Sequence, residues 1–186
     1  GLTTPPRTGA GGGKSHDADL KATDKGAPGE LDQSFNIYAT GTGGVRALAV
    51  EPDGDIVVAL TPGTGNSGWG ITRLKADGSV DSSFTAPSLP STGTLMDVTV
   101  ASTGQIVLAG DVSSGDGVAA VRLNASGSLD PVLGPNGTYA IPLGNFSSST
   151  QARAVAVQGD GKILIAGIKP PSGGFVARID PNGQAV

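Results

Sequence analysis

Cysteine is absent from the 186 residues, which excludes disulfide staples and thiol chemistry. Histidine occurs once, at His16, in a stretch without periodic apolar residues, so no histidine-centred triad can form within the remainder of the chain. Glutamate occurs only at Glu30 and Glu51, so carboxylate chemistry would fall mainly to aspartate. Charged residues make up 15% of the chain, the net charge is −4 and the pI is about 4.7. No basic patch is large enough to grip a phosphate backbone, and nucleic acid is not an expected partner. The longest aliphatic run, Ile56–Leu60, is far too short to span a bilayer. The chain opens at Gly1 without a methionine or a signal peptide, which reads as a processed or trimmed product.

What is abundant is glycine, with 31 residues, alongside 13 prolines and many serines and threonines. Low charge with frequent glycine punctuation suits many short strands rather than a helical bundle. Residues 1–28 read as a Gly/Thr/Pro-rich tail, or as an arm that needs another surface to order it. From Gly29 to Val186 the chain repeats itself. The clearest unit runs from Gln151 to Val186: strand, Gly-Asp-Gly turn, strand, Pro/Ser/Gly-rich loop, strand, Pro-Asn-Gly turn. Turn glycines Gly54, Gly104 and Gly161 lie 50 and 57 residues apart. A second set, Gly78, Gly127 and Gly183, lies 49 and 56 apart, and Arg73, Arg122 and Arg178 keep those same spacings. Two markers moving together identify a true repeat. The three repeats cover about 45–89, 94–143 and 152–186.

Each repeat predicts two hairpins. Pro52-Asp53-Gly54, Ser102-Thr103-Gly104 and Gly159-Asp160-Gly161 have the chemistry of three-residue loops with a bulge. Counting outward pairs Val50 with Ile56, Val100 with Ile106 and Val157 with Ile163. These strands are apolar on both faces, so each sheet is expected to be covered on both sides, burying Val50, Val100 and Val157 with Ile56, Val58, Ile106, Leu108, Ile163 and Ile165. The second hairpin, around Ala76-Asp77-Gly78, pairs Leu74 with Val80 and Arg73 with Asp81; the next repeat pairs Leu123 with Leu129 and Arg122 with Asp130. Cross-strand charge pairs of this kind are worth about 1 kcal/mol or less. They recur with the fold, which favours a structural clamp over a ring of ligand groups. A fourth strand is expected at Phe84–Leu89 and at Thr138–Leu143; the middle repeat has Ser126 and Pro131-Val132-Leu133 where the first repeat has Asp77 and Ser82-Ser83-Phe84. A spare strand is expected at Phe35–Thr40. Antiparallel four-stranded units at this period are all-β propeller blades.

The segments P-D-G-D-I-V-V-A-L, D-G-K-I-L-I-A-G, R-L-K-A-D-G-S-V-D-S-S-F and R-L-N-A-S-G-S-L-D resemble the delta-60 repeat family. That resemblance covers Gly29 to Val186. It implies a β-propeller from a bacterial protein, secreted or at the cell surface, and it brings no catalytic motif with it. The expected function is a non-catalytic extracellular scaffold, structural or adhesive, without cofactor or metal, that binds copies of itself and a cell-surface or polysaccharide ligand. The alternatives are a propeller hydrolase or lyase acting on polysaccharide or a lactone, and a fragment of a larger binding propeller.

Other motifs weigh less. Thr8–Ser15 has the glycines and Gly-Lys-Ser of a phosphate loop but neither its spacing nor a flanking strand and helix. Leu89-Pro90-Ser91-Thr92-Gly93 matches a sortase signal but is followed by an ordinary strand and ninety further residues. His16 with Asp17 and Asp19 lacks converging partners. Asp111 and Asp116 flank a loop that reads either as a Ca²⁺ site or as a solvated hairpin tip. Trp69 has Val118 and Gly174 at its equivalents, so it reads as blade-edge packing and not as a repeated sugar platform. Asn124, Asn136 and Asn145 begin glycosylation sequons, which a bacterial chain usually leaves bare. Three blades do not close a propeller. The segment Phe35, Ile37, Ala39 is therefore expected to be donated as a strand to the last blade of a neighbouring copy, giving a ring or a filament.

Overall fold

The computed structural model describes residues 32, 34–36, 43–61, 68–112, 117–142, 150–171 and 173–184. The whole tail, with its phosphate-loop-like stretch and His16, lies outside the described residues, as do Ile37, Ala39, Asp116 and Asn145. The chain divides into two units, Gly1–Phe35 and Asn36–Val186. The repeats all belong to the second.

Three antiparallel sheets follow one another. The first holds β1 (Val45–Val50), β2 (Ile56–Leu60) and β3 (Gly70–Leu74), in that order. The second holds β4 (Thr94–Val100), β5 (Ile106–Val112), β6 (Gly117–Leu123) and β7 (Thr138–Ala140). The third holds β8 (Gln151–Val157), β9 (Ile163–Lys169) and β10 (Gly173–Ile179). The hairpin registers are those that the loop chemistry implies: Val50 opposes Ile56, Val100 opposes Ile106 and Val157 opposes Ile163. Leu74 bridges Val80, and Leu123 bridges Leu129. All six turn glycines, Gly54, Gly78, Gly104, Gly127, Gly161 and Gly183, have positive φ. The first strand of every blade also carries a register shift at an equivalent place, at Arg46, Met96 and Arg153.

The fourth strand departs from expectation. Phe84–Leu89 forms no strand, because Pro87 within it cannot donate to a ladder. Phe84 and Leu89 instead pack into the apolar layer between the first two blades. In the middle repeat, Thr138, Tyr139 and Ala140 do pair, with Val121, Ala120 and Ala119. Those three residues precede the proline of their own segment, Pro142, so their N–H groups remain available to the ladder.

Alternation along each strand gives every blade two apolar faces. One face of the first blade, with Ala47, Ala49, Val57, Ala59 and Ile71, packs on Val98, Ile106, Leu108, Val121 and Leu123 of the second. The other face of the second, with Val107, Ala109, Val118 and Ala120, packs on Val155, Ile163, Ile165 and Ile179 of the third. Among the described residues, only the middle blade thus has another blade on both sides. Val50 is a correction: it is 61% exposed, and among the described residues no blade lies against its face, although Val58 and Leu74 on that face are buried. Ile56 is half-buried, whereas Val58, Ile106, Leu108, Ile163 and Ile165 are buried.

Truncating a seam residue should therefore be far costlier than truncating an exposed one. Ile163→Ala should lose about 2–5 kcal/mol in urea unfolding. Val132→Ala, at an exposed position, should lose less than about 0.5 kcal/mol.

Candidate functional site: the charged clamp between blades

Arg73 lies on β3 and Asp81 follows the tight turn at Gly78, so the hairpin brings them face to face. The Arg73 Nε donates to Asp81 Oδ2 at 2.8 Å, and the guanidinium approaches the same oxygen at 2.7 Å. Asp81 Oδ1 accepts from the Ser83 backbone N–H at 2.9 Å and from its hydroxyl at 2.6 Å. The Ser83 hydroxyl first, then its N–H, then Arg73 lower the Asp81 carboxyl from 3.8 to about 2. Arg73 also donates to Glu51 at 3.4 Å and to the Ala125 carbonyl of the second blade at 3.2 Å. Its guanidinium sits 4.9 Å from the centre of the Phe84 ring. Burial works against the Arg73 charge, but bonding to Asp81 and the charges of Glu51, Asp81 and Asp55 outweigh it and raise its pKa.

The second repeat builds the same clamp with fewer charges. Arg122 Nε donates to Asp130 Oδ2 at 2.9 Å, and both residues are buried. Gln105 Nε2 donates to the same oxygen at 3.0 Å, and the Val132 N–H to Asp130 Oδ1 at 3.0 Å. The expectation that this pair is worth about 1 kcal/mol or less needs correcting. An exposed pair is cheap to break, but removing one partner of a buried pair strands the other charge away from water. Arg178 of the third repeat is exposed.

An apolar residue three positions after each clamp aspartate ties one blade to the next. Phe84 follows Asp81 and lies on the outer turn of the second blade: a Cβ on Gly127 would come within 2.5 Å of its ring. Leu133 follows Asp130 in the same way, and a Cβ on Gly183 would lie 2.1 Å from its carbonyl oxygen. Glycine is thus required twice over at Gly127 and Gly183, by positive φ and by close approach. The offset is readable in the sequence as D-S-S-F and D-P-V-L, but its docking partner in the next repeat is not.

Two aspartates join the second blade to the third. Asp97 Oδ2 accepts from the Val155 N–H at 2.8 Å, and Asp111 Oδ1 accepts from the Ala152 N–H at 2.9 Å. These N–H groups flank the bulge at Arg153 in β8. Burial raises the Asp111 carboxyl, with the Ala152 N–H and Arg153 pulling the other way. Asp111 thus serves as a strand tie. Its carbonyl also accepts from Trp69 Nε1 at 3.1 Å, and buried Trp69 fills the space over Gly110. Asp97 carries a signal that residue-type reading passed over: a lone carboxylate in a strand whose equivalents, Ala47 and Ala154, are apolar.

Among the described residues, one carboxylate group converges within reach of a cation: Glu51, Asp53 and Asp55, with oxygens within 4.8 Å of one another. Arg73 already supplies positive charge there, 3.4 Å from Glu51 and 3.9 Å from Asp55. Asp53 Oδ1 accepts from the Asp55 N–H, and Asp55 Oδ1 from the Ala76 N–H. Burial, the largest influence, raises the Glu51 carboxyl above its ordinary 4.5; Arg73 opposes this and Asp53 and Asp55 add to it. Of the strand-donation candidates, Phe35 sits in a bend with its N–H on the Asp32 carbonyl. Asn36, next in sequence, donates its backbone N–H and its side-chain amide to the Asp77 carbonyl.

Residues 51–84, 101–131 and 158–185 match the β-propeller domain of unknown function DUF5122, and together they make up half of the chain. The chain belongs to the DUF5122 β-propeller family. Each matched segment begins near a first-hairpin turn, and the first two run through the Arg73–Asp81 and Arg122–Asp130 clamps. No curated protein matches it. A solved structure of a protein of unknown function from Bacteroides caccae is similar, with TM-score 0.52 and 15% identity over 80% of this chain and 46% of that one. A catalytically inactive virginiamycin B lyase from Staphylococcus aureus with quinupristin gives TM-score 0.47 and 16% identity over 77% and 44%. The DUF5122 chain spans less than half the length of either.

The clamps make two measurable predictions. Asp130→Ala should cost about 3–5 kcal/mol, leaving Arg122 buried and unpaired, as read by urea unfolding. The pH dependence of stability should carry opposite signs at two carboxylates. The folded state holds the Asp81 proton more weakly than the unfolded chain, so its contribution is present above pH 3.8 and disappears as the pH falls to about 2. Asp81→Asn should flatten that acid limb. Glu51 is held more tightly in the folded state, so its ionisation opposes folding as the pH rises past 4.5. Glu51→Gln should therefore stabilise the protein at neutral pH and make no difference at pH 3.

Proposed function

We propose that this propeller is a non-catalytic scaffold, structural or adhesive, that works outside a bacterial cell and presents its Ser/Thr/Gly-rich loops to a surface or polysaccharide ligand. Within the DUF5122 family we assign it to the delta-60 type, on the strength of the turn-and-strand segments quoted above. One observation supports the scaffold reading above the others. Six charged residues of the hairpins and seams are consumed by the fold: Arg73 and Asp81, Arg122 and Asp130, Asp97 and Asp111 each bond within or between blades. Groups engaged in this way hold geometry and are not poised to exchange protons with a substrate.

A second reading has one observation in its favour. Glu51 is a buried carboxyl whose pKa is raised, beside two further carboxylates, which is the type of environment that tunes a general acid. That reading makes the propeller a hydrolase or lyase on polysaccharide or a lactone. The two separate in one experiment. The purified protein is incubated with a panel of polysaccharides and lactones, and both retention on insoluble polysaccharide and product formation are measured. The scaffold reading expects retention without product, unchanged by Glu51→Gln. Product that forms with the wild-type chain and falls at least tenfold with Glu51→Gln establishes the enzyme.

A further inference from the structure

Between the second clamp and β7 the chain makes one tight turn, Pro135-Asn136-Gly137-Thr138, closed by the Thr138 N–H on the Pro135 carbonyl. Both central residues have positive φ, 53° at Asn136 and 65° at Gly137, the pattern that an Asn-Gly pair favours. Among the described residues, Asn136 is the only one besides the glycines with positive φ. It is exposed, and the Thr138 hydroxyl bonds to its backbone carbonyl at 3.3 Å. Gly137 is buried. A Cβ on it would lie 2.9 Å from the Arg122 carbonyl oxygen and 3.1 Å from the Asp130 nitrogen, so this glycine rests on the backbone of the buried clamp. β7 begins at the next residue and pairs with Val121, Ala120 and Ala119.

We propose that Asn136 is a site of spontaneous backbone modification, where deamidation lengthens the main chain and detaches β7 from the middle blade. The Gly137 nitrogen attacks Asn136 Cγ and gives its proton to water; the side-chain nitrogen leaves as ammonia and a five-membered imide closes. Water then opens the ring. Entry at Cγ gives an ordinary aspartate. Entry at the backbone carbonyl carbon gives isoaspartate, whose main chain runs through Cβ and Cγ and is one methylene longer. Three observations select this residue. Glycine follows it, so no side chain obstructs the attack. Its left-handed conformation is unfavourable for an L side chain, so opening the turn relieves strain. The bond from the Gly137 N–H to the Gly134 carbonyl, 2.9 Å, is one turn bond at the surface, and the reaction waits on its local opening. The chain's other Asn-Gly pair, Asn182-Gly183, is held more firmly: the Asp180 carboxylate accepts from the N–H groups of Asn182 at 2.9 Å and of Gln184 at 2.8 Å. The consequence follows from the glycine. Gly137 has no room to move toward the clamp, so the added methylene displaces Thr138–Ala140 from β6.

The test reads covalent structure and amide exchange, so it stands apart from whether the protein binds a surface or turns over a substrate. The folded wild-type chain is aged in mildly alkaline buffer until the first of Asn124, Asn136 and Asn182 converts, as read by peptide mass spectrometry and by methyl acceptance from an isoaspartyl methyltransferase. Asn136 should convert first, with isoaspartate exceeding aspartate. In the isoaspartyl fraction the amide protons of Thr138–Ala140 should exchange roughly tenfold faster or more, while those of β4 and β5 keep their protection. Asn136→Gly, which accepts positive φ and has no amide to lose, should abolish conversion at this position and leave β7 protected. Asn136→Asp should also leave β7 protected, because it adds the charge without the methylene. The proposal is overturned if Asn124 or Asn182 converts before Asn136. It is also overturned if isoaspartate at Asn136 leaves the exchange of β7 unchanged, or if Asn136→Asp loosens β7 as much as isoaspartate does.

Discussion

The structure depends on one constraint: a three- or four-stranded sheet that is apolar on both faces must find cover on both. A single such blade would leave two greasy surfaces in water at about 25 cal/mol per Å², so it has no stable existence alone. Stacking answers the constraint, and the residues divide the work. The face that covers is rich in small or branched residues such as Ala47, Ala49, Ala59, Ala109 and Ala120, and the face that receives supplies Ile106, Leu108, Leu123, Ile163 and Ile165. Large side chains from one sheet enter the space that small ones leave on the next, which is how close-packed interiors avoid voids.

Polar groups finish what burial begins. Burial alone would let blades slide, because the hydrophobic effect has no direction. Asp81 and Asp130 fix the outer hairpins. Asp97 and Asp111 bond backbone N–H groups of a specific strand in a specific neighbour, and the Trp69 indole reaches across from the first blade to the second. Each is a directional bond at the margin of a non-directional contact, so register is set where water would otherwise compete.

Period and loop chemistry were the legible part. Glycine spacing and the three-residue loops determine which residues face each other across a hairpin, because a strand alternates with period two and the turn fixes the count. That is why Val50 and Ile56, or Arg122 and Asp130, could be paired from sequence. The same logic fails between blades. Nothing local in D-S-S-F says that Phe84 rests on Gly127, forty-odd residues on, or that a carboxylate at Asp97 belongs to the backbone at Val155. Burial misled for a related reason: Val50 and Val100 are the same residue at the same repeat position, and only the presence of a neighbour separates them. Pro87 was visible and outweighed the repeat pattern, which is why Phe84–Leu89 gave up its ladder. The carboxylate group at Glu51 was hidden because its members were read one by one as turn residues.

The reach of Phe84 and Leu133 from one blade into the turn of the next has a consequence for how the chain loses structure. Every such contact makes the order of one unit conditional on the order of its successor. The molecule then behaves as a short one-dimensional lattice, in which each unit has an intrinsic stability and most of the cooperativity resides at the junctions. The middle unit, with a junction on either side, opens only when both give way. The outer units have a single junction within the chain, and local opening moves inward from them. Amide protons of β5 and β6 therefore sit at the slow end of exchange, while β1 and β10 set the rate at which the lattice begins to melt.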